Sequence, residues 1–99
     1  MESYTIGQRW VSEMEPELGL GILQGIEARN LIFDFPLKGE RRIYRKENPP
    51  MRRYLLQVGM NMSTLEGITS EIMQIQDMGN LVAYIGLDGN PVHESQLGH

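Results

Sequence analysis

Turn-forming residues recur at intervals of roughly ten positions, and this spacing constrains the fold more than any other feature of the chain. Pro16 and Gly19, Asn30, Pro36 and Gly39, Gly79 and Gly89 separate short apolar runs. Between the turns, Leu31, Phe33 and Phe35 share one parity and would line one face of a strand. Ile6, Gln8 and Trp10 also share a parity, and the run "NLVAYIG" is apolar on both parities, as in a strand covered on both faces. Strands are predicted near 7–12, 20–28, 31–35 and 41–45. No helical period emerges; the one window of helix-compatible composition, 66–78, is rich in β-branched Ile. Within "GITSEIMQIQD" the apolar parity passes from Ile68 and Ile72 to Ile75, which predicts a β-bulge and a sharp bend near 73–74. These signals define an all-β chain, a small barrel or sandwich.

The chain also repeats itself. "IGQRW…GILQGIEARNLIFDF" can be laid on "VGMNM…EIMQIQDMGNLVAYI", with Ile6-Gly7 falling on Val58-Gly59, Ile26 on Ile75 and Leu31 on Leu81. A lag near 50 residues implies two copies of one bent-sheet unit. Residues 1–50 would form the first barrel and 51–99 the second, the latter incomplete or carrying a divergent tail. Pro49-Pro50 would be the joint, because proline has no N–H to continue a ladder.

Charge is distributed unevenly over this plan. The net charge is −4, yet "KGERRIYRKENPPMRR", residues 38–53, holds seven basic side chains against two acids, a local balance of +5. The rest of the chain has only Arg9 and Arg29 against eleven acids, a balance of −9. Such an asymmetry can steer an acidic or phosphate-bearing partner. The competing explanation is a charged hairpin edge that discourages strand-to-strand aggregation.

Little points to catalysis. The only histidines are His93 and His99, both near the C-terminal end, and the acids are scattered over turns. Glu13, Glu15 and Glu17 surround a proline and lack the glycine and carbonyl ligands of a calcium loop. With no cysteine, thiolate chemistry is excluded, and neither a metal nor a cofactor is expected. No apolar run approaches the roughly 18 residues of a membrane helix, and "MESYTIGQ" has no signal-peptide pattern, so a cytoplasmic location is expected. Trp10 is expected in the core, with Arg9 on the opposite face and available to a partner. Gly21 and Gly25 would let the second strand curl tightly. Met60, Met62, Met73 and Met78 are expected to fill packing gaps rather than form a partner surface.

The string "TIGQRWVSEMEPELGLGIL…EARNLIFDFPLKGERRIYRKENPP…R" closely resembles the N-terminal domain of the RapA (HepA) family, Swi/Snf-type ATPases associated with RNA polymerase. The shared elements are "GQRW", the acidic loop followed by "ELGLG", the "EAR" turn, the "FP…GE.R.Y" hairpin, and further on Gly67 and Tyr84-Ile85-Gly86. The likeness spans roughly residues 4 to 86, is specific in the first half and looser in the second. It implies two small, strongly bent antiparallel SH3/Tudor-like (KOW-like) barrels in tandem, acting as a non-catalytic domain. It further implies docking on the RNA polymerase core and restraint or coupling, in cis, of the ATPase motor used in polymerase recycling. The motor is absent from these 99 residues, which contain no GxxxxGK[ST] and no acidic helicase box. The tail "DGNPVHESQLGH" departs from the family pattern, and residues 41–46 are more basic than the family leads one to expect.

The candidate partner-binding residues are Arg9, Lys38, Arg41, Arg42, Tyr44, Arg45, Lys46, Arg52 and Arg53. The alternative to polymerase docking is direct DNA or RNA binding, with the hairpin cations on phosphates and Tyr44 or Tyr54 stacking on bases.

Overall fold

A computed structural model describes residues 4–98, and these divide into two compact units, the first ending at Tyr54 and the second beginning at Leu55. The described residues contain ten strands, all paired antiparallel, two single 3₁₀ turns and no α-helix.

The first unit is a five-stranded sheet of order β4-β3-β2-β1-β5, built from β1 (Arg9–Ser12), β2 (Leu20–Glu27), β3 (Asn30–Phe35), β4 (Glu40–Arg45) and β5 (Met51–Arg53). The parity predicted for β3 holds: Leu31, Phe33 and Phe35 have no exposed surface, and they pack with Trp10, Leu18, Leu23 and Met51 into one core. Burying each such side chain contributes about 1.5–3 kcal/mol, which is how so small a unit offsets its chain entropy. Trp10 lies in this core, its ring edge-on to Phe33 at 6.0 Å, and its N–H donates to Gln8 Oε1 at 3.3 Å. Gln8 is buried, whereas Ile6 of the same parity is half exposed.

Strand β2 is the bent element. It pairs with β1 through Leu20–Ile22 and with β3 from Ile22 onward, with a register shift between Leu23 and Gly25. A Cβ on Gly21 would stand 2.7 Å from the Phe35 ring, so the absence of a side chain there lets the ring lie against the backbone. The turn between β2 and β3 falls on Ala28, at φ 44°, rather than on Asn30, which begins β3. Pro49-Pro50 does not part the two units. Residues 51–53 pair with β1, and the Glu13 N–H donates to the Pro50 carbonyl, so the first unit extends to Tyr54.

The second unit comprises β6 (Asn61–Ser63) paired with β7 (Thr69–Glu71), and a three-stranded sheet of order β10-β9-β8. The latter is formed by β8 (Gln74–Asp77), β9 (Val82–Ile85) and β10 (Pro91–His93). The bend expected as a bulge at 73–74 is a change of partner one residue earlier. Ile72 still exchanges backbone bonds with Gly59 and Met60, whereas the Met73 N–H donates to Ile85 O. The parity switch arises because the strand leaves one sheet for another. Ala83 and Tyr84, adjacent on β9 and so on opposite faces, are both fully buried, as the doubly apolar run predicted.

The same hydrogen bonds recur within each unit at the lags seen in the sequence. Gly7 N–H donates to Leu23 O and Gly59 N–H to Ile72 O; Leu23 N–H donates to Gln8 O and Ile72 N–H to Met60 O. The last segment returns to the first strand in both, Ser12 facing Met51 and Thr64 facing Leu97. Of the four methionines expected to pack, only Met62, on β6, is buried; Met60, Met73 and Met78, which lie just outside the strands, are each about half exposed.

Candidate partner-docking face

The basic run folds into the β3–β4 hairpin and its continuation. Pro36 and Gly39 make the turn, with the Lys38 N–H donating to Phe35 O and the Gly39 N–H to Pro36 O. The register sets Asp34 opposite Arg41, Phe33 opposite Arg42, Ile32 opposite Ile43 and Leu31 opposite Tyr44. Alternation then sorts β4 into an outer row, Arg41, Ile43 and Arg45, all exposed, and an inner row, Arg42 and Tyr44, half buried.

Two of the arginines are already engaged. Arg41 clasps both carboxylate oxygens of Asp34, Nε donating to Oδ1 at 2.6 Å and Nη2 to Oδ2 at 3.1 Å. Arg42 reaches Glu15 in the β1–β2 loop with Nε at 3.2 Å and Nη2 at 3.1 Å, and Glu40 with Nη1 at 3.2 Å. These bonds hold the Asp34 and Glu15 carboxyls below their ordinary range and raise both guanidinium pKa values, the side-chain hydrogen bond being the main cause in each case. The local surplus of positive charge is therefore smaller than the sequence count implies.

Lys38, Arg45 and Arg52 are exposed, and Lys46 is half buried; none of the four has a side-chain ion pair among the described residues. Lys38, Arg45 and Lys46 belong to the hairpin. Arg52 stands on β5, the opposite edge of the sheet. Lys46 borders a groove of about 360 Å³ with Tyr4, Trp10 and Glu13, and its carbonyl accepts the Tyr4 hydroxyl at 3.2 Å.

Three candidates are placed elsewhere than expected. Arg9 is only 1% exposed and donates through Nε to Gly21 O at 3.0 Å, so it is a buried side chain rather than a free cation. Arg53 is half buried and donates through Nη1 to Arg9 O at 3.1 Å, bracing β5 on β1. Tyr44 packs against the core, its ring 6.1 Å from Phe33. Conversely, Ile43 is 61% exposed between Arg41 and Arg45 and was missed as a surface residue. Its parity with the two arginines was the available signal. The outer face of β2 to β4 adds a shallow concavity of about 450 Å³ bordered by Ile22, Gln24, Asp34 and Arg41.

No group of three or more potential metal ligands converges among the described residues, and His99 lies outside them. No helix among them is long and apolar enough to cross a membrane. A strongly bent five-stranded antiparallel sheet around one aromatic core is a small β-barrel of the Tudor-like class, and what it presents is charge and strand edge. Residues 4–54 match the family described as RapA N-terminal Tudor-like domain 1, and the chain belongs to that family. The family is named for an RNA polymerase-associated protein, and these 99 residues hold no ATPase domain.

Proposed function

We propose that this chain is a non-catalytic, cytoplasmic interaction module that docks on the RNA polymerase core. In full-length relatives it would restrain or couple the attached Swi/Snf-type ATPase. The observation that carries this reading is a set of hairpin cations, Lys38, Arg45 and Lys46, without ion pairs among the described residues on a barrel of the RapA family. Charges committed to no internal partner are available to an acidic surface, where they raise the association rate and set register. A protein partner is favoured over nucleic acid because Tyr44, one of the two rings expected to stack on bases, is packed on Phe33. The second unit is proposed as a second Tudor-like barrel, a reading supported by the recurrence of the Gly7–Leu23 bonding pattern at Gly59–Ile72.

The test is binding of labelled chain to core RNA polymerase, beside a Lys38/Arg45/Lys46→Ala variant. Arg41 and Arg42 are left in place because removing them would strand Asp34, Glu15 and Glu40. Saturable binding that the variant loses is the expected result. Undiminished binding by the variant would overturn the assignment of the hairpin. Tight binding to single-stranded RNA alone, falling steeply with salt, would favour the nucleic-acid reading.

A further inference from the structure

β4 ends the first sheet, and its ladder with β3 uses only half of its backbone groups. The Lys46 N–H donates to Arg29 O at 2.8 Å, which sets the phase of the ladder. Closely paired residues alternate in an antiparallel pair. Tyr44 and Arg42 therefore exchange bonds with Leu31 and Phe33, while Arg41, Ile43 and Arg45 turn their N–H and C=O groups to the open edge. The Arg41 carbonyl accepts Arg42 Nη1 at 3.1 Å. Those of Ile43 and Arg45 have no partner among the described residues.

The side chains select what could pair there. A second copy of this strand, antiparallel and centred on Ile43, would set Arg41 against Arg45, and like charges directly opposite are unfavourable. The same charges favour an acidic strand. Arg45 has no ion pair among the described residues, Arg41 is shared with Asp34, and Ile43 beside half-buried Ile32 supplies an apolar contact between them.

We propose that the free edge of β4 binds an extended acidic segment of a protein partner by antiparallel strand addition. An apolar residue would lie opposite Ile43 and carboxylates opposite Arg45 and Arg41. This deepens the polymerase-docking reading and rests on it for the identity of the partner, not for the chemistry of the site.

The probe is the peptide STETVTETS, with STKTVTKTS as control, titrated into the ¹⁵N-labelled full chain. Slowed amide exchange at Ile43 and Arg45 with the acidic peptide only is the expected result, and this measurement needs no variant. Ile43→Pro removes the outward N–H without touching a bond to β3, so it should abolish peptide binding while the Trp10 fluorescence melt stays cooperative. Failure of the acidic peptide to protect those amides, or equal binding of both peptides, overturns the proposal. So does binding that survives in a folded Ile43→Pro chain.

The same variant separates the two readings on core RNA polymerase. If Ile43→Pro still binds polymerase while Lys38/Arg45/Lys46→Ala does not, docking stands and strand addition falls. If the peptide binds at the edge and polymerase does not bind at all, strand addition stands and the polymerase assignment falls.

Discussion

Replacing Gly21 by alanine tests the close approach on which the first barrel is built. The added methyl would stand 2.7 Å from Phe35 Cε1, 3.1 Å from Cδ1 and 3.2 Å from Cζ. Carbon atoms rest at about 3.5–4.0 Å, so the ring or the strand has to yield by about 0.8 Å. Phe35 is fully buried among Trp10, Leu23 and Phe33 and has little room to move. Overpacking of this kind costs about 1–3 kcal/mol, offset by about 0.4–1 kcal/mol because alanine restricts the unfolded chain. A net loss of about 1–2 kcal/mol should lower the melting temperature by roughly 5–15 °C for a chain of this size. Trp10 is the only tryptophan, so its fluorescence follows the first unit alone. Gly21→Ala should be partly rescued by Phe35→Leu, which removes the atoms in the way. Gly39→Ala should not be, because its cost arises from a φ of 64° in open space. A melt unchanged by Gly21→Ala, or a loss undiminished in the Phe35→Leu background, would refute the argument.

Phe33→Ala removes a fully buried ring that touches both Trp10 and Tyr44, at a cost of about 3–5 kcal/mol. That is enough to unfold the first unit at 25 °C, seen as a red-shifted Trp10 emission. Acid should weaken the same unit through Asp34 and Glu15. Their carboxyls titrate lower in the folded state than their ordinary values of 3.8 and 4.5, so their contribution is complete above those values and is lost as pH falls through the folded-state pKa. The urea midpoint followed by Trp10 should therefore keep this contribution down to the ordinary Glu15 value of 4.5 and drop as the pH falls further, and less so in an Asp34→Asn/Glu15→Gln chain. An equal drop in both chains would exclude these pairs as the cause.

The sequence alone determined the all-β class, the first four strands of the first barrel to within two residues at each end, and the repeat lag, but not β5, whose residues it placed beyond the Pro49-Pro50 joint. Each of these is encoded locally. Alternating side chains at Leu31, Phe33 and Phe35 leave one face to bury, and proline, glycine and asparagine mark where strands stop. Identity with a known family was legible for the same reason, since "GQRW", "ELGLG" and the "FP…GE.R.Y" hairpin are contiguous runs. Charge was legible as a count but not as a surface. Arg41 is engaged because the register brings Asp34 opposite it, and Arg42, besides its neighbour Glu40, is clasped by Glu15 because the β1–β2 loop comes within reach across 27 positions. Arg9 alternates with Trp10 as a simple strand would have it, yet the strongly curled sheet buries both. Which cations remain free, and which strand edge remains open beside them, depends on pairings between distant segments, and these exist only once the chain has folded.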